Sequence, residues 1–184
     1  DSSVICSLMS QNLNKPVVTF AIGMKDSNAP DLKYAKIVAD YLKTEHHTVQ
    51  YTFDEGFKAL DDLIYTLESY DITTIRASLP QYLLSKYIEE KTNVKVLFSG
   101  EGPDEHFGGY QYLQMAPNKE EFQKEITKLT KNLCYFDVLR TDRTTARFGL
   151  EVRVPFLDKE FIKYSLSIPP EYKESKNKIG RAHV

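Results

Sequence analysis

Strand-like and helix-like segments alternate along the first half of the chain, and this alternation restricts the fold more than any other feature. Residues Val17 to Gly23 combine β-branched and aromatic side chains, as strands do, whereas Asp31 to Thr44 carries apolar residues at helical spacing. A second strand is predicted near His46 to Thr52. Because parallel strands are joined by helical crossovers, the pattern predicts an α/β fold, with a parallel sheet covered by helices on both faces.

The elements that follow are predicted from caps and prolines. Asp54 can begin a helix that runs to about Ser69, and Pro80 is acceptable in the first turn of a helix that runs to Thr92. A short apolar strand from Val94 to Phe98 comes next. This half of the chain therefore predicts strand and helix in regular succession.

Beyond Tyr110 the pattern becomes mainly helical. Asn118 and Glu121 have capping-box spacing, and the residues between Tyr110 and about Arg147 contain no convincing strand. Asp158 is suited to cap a last helix that ends near Ser167. The sequence thus predicts one α/β unit followed by a helical extension.

A glycine-rich acidic loop directly follows the strand that ends at Phe98. It reads Ser99-Gly100-Glu101-Gly102-Pro103-Asp104-Glu105 and continues to Tyr110 through Phe107-Gly108-Gly109. Glycines allow close approach of backbone N–H groups to phosphate, and acids beside phosphate indicate a divalent cation, for which magnesium is the expected ion. The alternative is a sharp turn whose acids only cap the next helix.

Several motifs together resemble the synthetase domain of the asparagine synthetase family, a branch of the PP-loop ATP-pyrophosphatase superfamily. The matching segments occur in the family's order along nearly the whole chain: Asp1-Ser2-Ser3, Thr73 to Ser78, Ser99 to Glu105 and Glu151 to Asp158. The resemblance implies an adenine nucleotide alpha hydrolase-like sheet. Asp1–Ser3 and Ser99–Glu105 are then expected at the carboxyl ends of strands, where ligands of such sheets bind.

The resemblance also implies the reaction. Family members convert aspartate to asparagine with ATP through a β-aspartyl-AMP intermediate, using ammonia from glutamine hydrolysis in an N-terminal domain. One alternative is a relative that applies the same adenylation with free ammonia or in lactam formation. The other is a degenerate member that binds nucleotide without catalysis, for which Pro103, in place of the usual serine, is the internal hint.

Site residues follow from the matched motifs. Asp1 and Asp104 are the expected magnesium ligands, Glu101 the group that accepts a proton during ammonia attack, and Arg76 the guanidinium that binds the substrate α-carboxylate. The resemblance places Thr73 and Thr74 beside aspartate. The residues expected at ATP or pyrophosphate are Asp1, Ser2, Ser3, Ile22, Gly23, Ser99 and Gly100. By itself, Asp-Ser-Ser is more often a helix cap.

For four charged residues and one histidine, a structural role is favoured over a catalytic one. Asp137, Arg140, Glu151 and Arg153 match family positions near the ammonia entry, but their spacing is also that of solvated helix faces and structural ion pairs. His106 replaces a position that is often apolar in the family, and we expect it to be a loop or packing residue.

Composition agrees with a soluble enzyme domain, and the expected cytosolic location is implied mainly by the family resemblance. The 184 residues have a formal net charge of −2, which favours neither nucleic acid nor a membrane surface as partner. Cys6 and Cys134 are predicted to be reduced, packed thiols. We expect residues 1–178 to be a partial synthetase domain without its N-terminal glutaminase domain, which could mediate homodimer formation, and residues 179–184 to be an adapter-derived tail. Such a fragment would be inactive.

Overall fold

The structure, a computed structural model, describes residues 1–25, 27 and 30–173. The predicted tail at residues 179–184 lies outside the described residues. In chain order the helices and strands are α1 (Ser2–Asn12), β1 (Val18–Met24), α2 (Asp31–Leu42), β2 (Glu45–Tyr51), α3 (Phe53–Lys58), α4 (Leu60–Leu67), α5 (Ile72–Lys91), β3 (Val96–Phe98), α6 (Pro103–Phe107), α7 (Lys119–Asn132), α8 (Asp137–Ala146), β4 (Glu151–Arg153) and α9 (Lys159–Ser167). The predicted α/β class is confirmed.

The strands pair in parallel, as predicted, but in two separate pairs. Strand β1 pairs with β2 along its whole length, with Val18 opposite Glu45. Strand β3 pairs with β4, with Val96 opposite Glu151 and Phe98 opposite Arg153. The assignment of Glu151 and Arg153 to a helix face was wrong, because three residues are too few to show a strand's alternation of polar and apolar residues.

Helix α5 begins eight residues earlier than predicted. Its N-cap is Asp71, whose carboxylate accepts a hydrogen bond from the Thr74 backbone N–H at 2.7 Å. Pro80 lies inside the helix, where it supplies no N–H for the carbonyl of Arg76. The prediction that Pro80 stands in the first turn was therefore wrong, and the Thr73-Thr74-x-Arg76 segment is the start of a helix.

The predicted helix from Asp54 to Ser69 is two helices, α3 and α4, that meet at Ala59. The N-cap of α3 is Thr52, which forms a reciprocal capping box with Glu55, so Asp54 is not the cap. No glycine or proline marks the break at Ala59. Two other predicted caps are confirmed: Asn118 accepts from the Glu121 N–H at 2.9 Å, and Asp158 accepts from the first turn of α9.

Two compact units divide the described residues. The first, here called the sheet unit, comprises Ser2–Phe98 and Leu139–Arg153. Its core contains Leu63, Leu67 and Tyr82, and the Tyr82 ring meets Phe148 edge to face at 4.9 Å. Full burial of each such side chain contributes about 1.5–3 kcal/mol.

The second unit, here called the loop unit, comprises Asp1, Ser99–Val138 and the described residues from 154 onward. Its core contains Leu113, Phe122 and Ile126, with Leu166 of α9 packed against them. Helix α7 supplies Phe122 and Ile126 to this core. The glycine-rich acidic loop is part of the loop unit.

The cysteines and the helices bear on two further predictions. Cys6 and Cys134 are both free thiols; Cys6 is half-buried, but Cys134 is exposed, so the prediction of two packed thiols was wrong for Cys134. Across the described residues, each helix is too short or too polar to cross a membrane.

Candidate active site

The acidic loop turns sharply at Gly102 and then enters α6. Gly102 has φ = 112°, and a Cβ there would lie 2.4 Å from Leu157 Cδ2, so both conformation and space require glycine. Pro103 occupies the first helical position, where its missing N–H has no intrahelical role. Although a following proline biases most residues toward extended geometry, Gly102 adopts positive φ, which glycine does without strain.

The end of α6 wraps back onto Asp104. The backbone N–H groups of Gly108 and Gly109 both donate to the Asp104 carbonyl, the second at 2.9 Å. Gly108 has φ = 69° and faces the Phe122 ring, where a Cβ would lie 2.4 Å from Cζ. The turn that carries Asp104 is thus supported by α7.

Glu105 is a buried acid next to Asp104. Its side chain is only 4% exposed and accepts a hydrogen bond from the Tyr110 hydroxyl. Burial raises the pKa of Glu105 to about 7, and the pKa of Tyr110 is also raised by burial. The hydrogen bond between Tyr110 and Glu105 links the end of the segment 104–110 to its beginning. The sequence analysis gave no role to Glu105 or Tyr110, although both belong to the motif it singled out.

His106 is a packing residue, as predicted. It is completely buried, and its ring lies 6.4 Å from the rings of both Phe107 and Phe161. Neither ring nitrogen has a hydrogen-bond partner among the described residues. Burial, with a smaller contribution from Lys173, lowers the pKa of His106 to about 4, so the imidazole is neutral at pH 7.

Replacement of His106 by leucine is expected to stabilise the protein by about 1–2 kcal/mol at pH 7.5, because leucine has no buried polar atoms to leave unpaired. At pH 5.5, in a buffer that contains a chelator, this stabilisation of His106→Leu over the wild type should be larger by about 1.4 kcal/mol than at pH 7.5. Between pH 6.5 and 4 the unfolded histidine binds a proton that the folded one does not, which lowers wild-type stability as the pH falls.

Urea unfolding of His106→Leu measures both effects, and His47→Leu is the matched control. The His47 Nδ1 lies 3.3 Å from the Tyr87 hydroxyl and its ring stacks on Phe20, so this control should give no gain. A loss of stability in His106→Leu would show that the imidazole has buried partners after all.

Asp1, Ser2 and Ser3 stand at the start of α1. Ser2 and Ser3 are exposed in its first turn, where helix N–H groups lack intrahelical partners and the helix dipole is positive. Asp1 belongs to the loop unit, as do Asp104 and Glu101. Asp1 thus directly precedes α1, and Ser2 and Ser3 are its first two residues.

The Thr73-Thr74-x-Arg76 segment forms the first turn of α5 in the sheet unit. Thr74 is buried, and its backbone N–H is bound to Asp71, whereas Thr73 and Arg76 are exposed. Hydrogen bonds from Thr74 keep the pKa of Asp71 below its usual value. Asp71 orders this turn, and an aspartate three residues before Thr74 is an N-cap signal that the sequence analysis overlooked.

The other predicted ATP-site residues lie at strand ends. Ile22 and Gly23 are in β1, and a Cβ on Gly23 would lie 2.8 Å from Leu32 Cδ1. Packing against α2 is thus a sufficient reason for glycine at position 23. Ser99 and Gly100 directly follow β3, as predicted.

Among the described residues, no three His, Cys, Asp or Glu side chains are grouped as a complete metal site. Asp137 and Arg140 lie on α8, whereas Glu151 and Arg153 form an exposed ion pair at 2.7 Å on β4. Of the two ordinary interpretations, the helix position therefore holds for Asp137 and Arg140, and the structural ion pair is confirmed for Glu151 and Arg153.

The fold defines the class of protein as α/β, with parallel strand pairs and a glycine-containing acidic loop after β3. The sequence profile of the asparagine synthase family matches residues 1–127 and 113–182. The chain therefore belongs to the asparagine synthase family.

Curated relatives support this assignment. The chain is 52% identical to asparagine synthetase [glutamine-hydrolyzing] of Mesocricetus auratus over 186 residues and 50% identical to that of Homo sapiens over the same length. It is 51% identical to the Gallus gallus protein of the same name over 181 residues. These alignments include 98% of the chain but only 33%, 33% and 32% of the relatives, so the chain spans about a third of their length.

Proposed function

We propose that the full-length protein converts aspartate to asparagine with ATP and with ammonia from glutamine. The observation that carries the proposal is the identity of about half of the residues to glutamine-hydrolysing asparagine synthetases over 98% of this chain. In the proposed reaction the aspartate β-carboxylate attacks the α-phosphorus of ATP and pyrophosphate leaves. Ammonia then displaces AMP from the β-aspartyl-AMP.

Phosphate binding by the start of α1 is supported by its local structure. Ser2 and Ser3 are exposed there, the first turn contains no acid, and the helix N-terminus favours anions. We assign the leaving pyrophosphate to this turn. Ile22, Gly23, Ser99 and Gly100 are assigned to the nucleotide.

Magnesium fits the two proposed metal ligands. Asp1 and Asp104 provide carboxylate oxygens, belong to the same compact unit, and Gly109 leaves room for the Asp104 carboxylate. Magnesium is commonly held by one or two carboxylates together with phosphate oxygens and water. When bound, it would neutralise charge on the phosphates during adenylation. Asp1 and Asp104 would hold it.

Aspartate binding is assigned to the first turn of α5. The guanidinium of Arg76 can donate two parallel hydrogen bonds to the substrate α-carboxylate, while the hydroxyls of Thr73 and Thr74 orient neighbouring groups. The exposure of Thr73 and Arg76 in this turn supports the roles of these two residues; Thr74 is buried, and its backbone N–H binds the Asp71 cap that holds the turn in place.

Arg76→Lys is expected to raise the KM for aspartate by about tenfold and to change the KM for ATP by less than twofold. Lysine keeps the charge but lacks the planar fork of the guanidinium. Steady-state assays of pyrophosphate release, with each substrate varied in turn, measure both values. Arg147→Lys, another exposed arginine of the sheet unit, is the control. Equal losses for aspartate and ATP would count against this assignment.

Glu101 is proposed to accept a proton when ammonia attacks the adenylate. The nitrogen of the tetrahedral species must lose a proton before AMP departs, and a nearby carboxylate can take it. Glu101 lies between β3 and α6 in the loop unit, three residues before Asp104. The alternative role is electrostatic orientation of ammonium.

Aspartate-dependent AMP formation by the full-length protein tests the proposal. We expect AMP and asparagine in equal amounts when glutamine is present. Nucleotide binding without AMP would identify a degenerate member of the family. AMP formation that yields asparagine with ammonium but not with glutamine would identify the ammonia-only alternative.

A further inference from the structure

The carboxylate of Asp104 occupies the space that a side chain at position 109 would need. A Cβ on Gly109 would lie 1.9 Å from Asp104 Oδ1 and 3.2 Å from Asp104 Cα. Unlike Gly102 and Gly108, Gly109 does not have a positive φ. A side chain at position 109 would therefore have to displace the Asp104 carboxylate, whereas the backbone conformation does not demand glycine.

Gly109 and the residue after it, Tyr110, each form a hydrogen bond with the acidic residues of α6. The Gly109 N–H donates to the Asp104 carbonyl at 2.9 Å, which fixes the backbone of the acid. The next residue, Tyr110, donates its hydroxyl proton to the carboxyl group of Glu105. Because Glu105 is buried, this second contact anchors the residue adjacent to Asp104 inside the loop unit.

We propose that Gly109 and Tyr110 are positioning residues for Asp104. Gly109 leaves open the volume in which the Asp104 carboxylate lies, and Tyr110 holds the neighbouring Glu105. The inference rests on the proposed function, since it takes Asp104 as a ligand of the magnesium ion that accompanies ATP. It makes the Gly-Gly-Tyr sequence after α6 part of the metal site, although none of its side chains binds the metal.

An alanine at position 109 would displace the Asp104 carboxylate. Ordinary contact begins at about 3.4 Å, so a carboxylate oxygen now 1.9 Å from the new Cβ would have to move by about 1.5 Å. Magnesium demands short bonds in near-ideal octahedral geometry, whereas the larger manganese ion accepts the same oxygen ligands with more tolerance. The displacement should therefore weaken magnesium binding more than manganese binding.

Competition between the two metals tests this inference on the full-length protein with ATP present. Bound and free Mn²⁺ are distinguished by electron paramagnetic resonance while Mg²⁺ is added. For Gly109→Ala we expect about tenfold more Mg²⁺ to be needed to displace Mn²⁺, and a change of less than threefold in Mn²⁺ affinity itself. Tyr110→Phe should shift the competition about threefold in the same direction. A general loss of stability would not change this metal preference.

Gly56→Ala is the matched control, because Gly56 lies in α3 of the sheet unit and the atoms nearest to a Cβ there belong to Leu79 and Tyr51. It should leave the competition unchanged. Unchanged competition in a folded Gly109→Ala variant would overturn the inference. If Gly109→Ala does not fold, Tyr110→Phe decides alone, and the absence of a shift in it overturns the inference.

Asp104→Asn separates failure of this inference from failure of the proposed function. If Asp104→Asn weakens metal binding and the two positioning variants do not, the positioning roles are wrong and the metal site stands. If Asp104→Asn leaves metal binding unchanged, the proposed metal site is wrong and the inference falls with it.

Discussion

Asp104→Asn in the full-length protein is expected to lower aspartate-dependent pyrophosphate release by about 100- to 1,000-fold at saturating magnesium. Attack on the α-phosphorus builds negative charge on the phosphoryl oxygens, and stabilisation of such charge by preoriented groups and a metal ion accounts for effects of this size. Asparagine keeps the shape of the side chain but removes the charge that holds the cation. A coupled assay for pyrophosphate measures the loss.

Asp40→Asn provides the matched control, since Asp40 is an exposed carboxylate on α2 that pairs only with Lys36 in the described part of the chain. This control should retain wild-type activity. Near-normal pyrophosphate release by Asp104→Asn would show that the acidic loop does not serve a metal in adenylation.

Glu101→Gln is expected to reduce asparagine formation by about 100- to 10,000-fold while some aspartate-dependent pyrophosphate release remains. The amide cannot accept the proton that the attacking nitrogen must lose, whereas adenylation needs no base at this position. Asparagine is quantified by amino-acid analysis and pyrophosphate in the same reaction mixtures.

Glu160→Gln is the control for loss of a glutamate charge, because Glu160 forms an exposed ion pair with Lys163 on α9. We expect both products to form normally in this variant. A parallel fall of asparagine and pyrophosphate in Glu101→Gln would assign Glu101 to the first step and remove it from ammonia attack.

The sequence predicted the elements whose local signals agree with their tertiary setting. Strand β1 is rich in β-branched and aromatic residues, helix α2 has apolar residues at helical spacing, and Asn118 and Asp158 are caps whose hydrogen bonds the structure contains. The start of α5 was misplaced because Pro80 is a strong helix-start signal, whereas in the structure Asp71 caps the helix and Pro80 lies within it. Strand β4 has only three residues, and only its pairing with β3 identifies it as a strand.

The candidate site depends on motifs and not on residue type alone. Asp104, Glu101 and Arg76 were selected because the segments that contain them resemble those of the asparagine synthetase family, and their roles stay proposals. The role of Gly109 was not predictable, since nothing in a sequence shows that an aspartate five residues earlier fills the space beside it. The burial of Glu105 likewise depends on packing within the loop unit and is not a property of the local sequence.

The central claim is that the β-carboxylate of aspartate becomes bonded to the α-phosphorus of ATP. Aspartate labelled with ¹⁸O in its β-carboxylate, incubated with the full-length protein, ATP, magnesium and glutamine, tests this bond directly. We expect one ¹⁸O atom in the phosphate of each AMP formed and the other ¹⁸O retained in the asparagine amide. Unlabelled AMP, or ¹⁸O in inorganic phosphate with ADP as product, would contradict it.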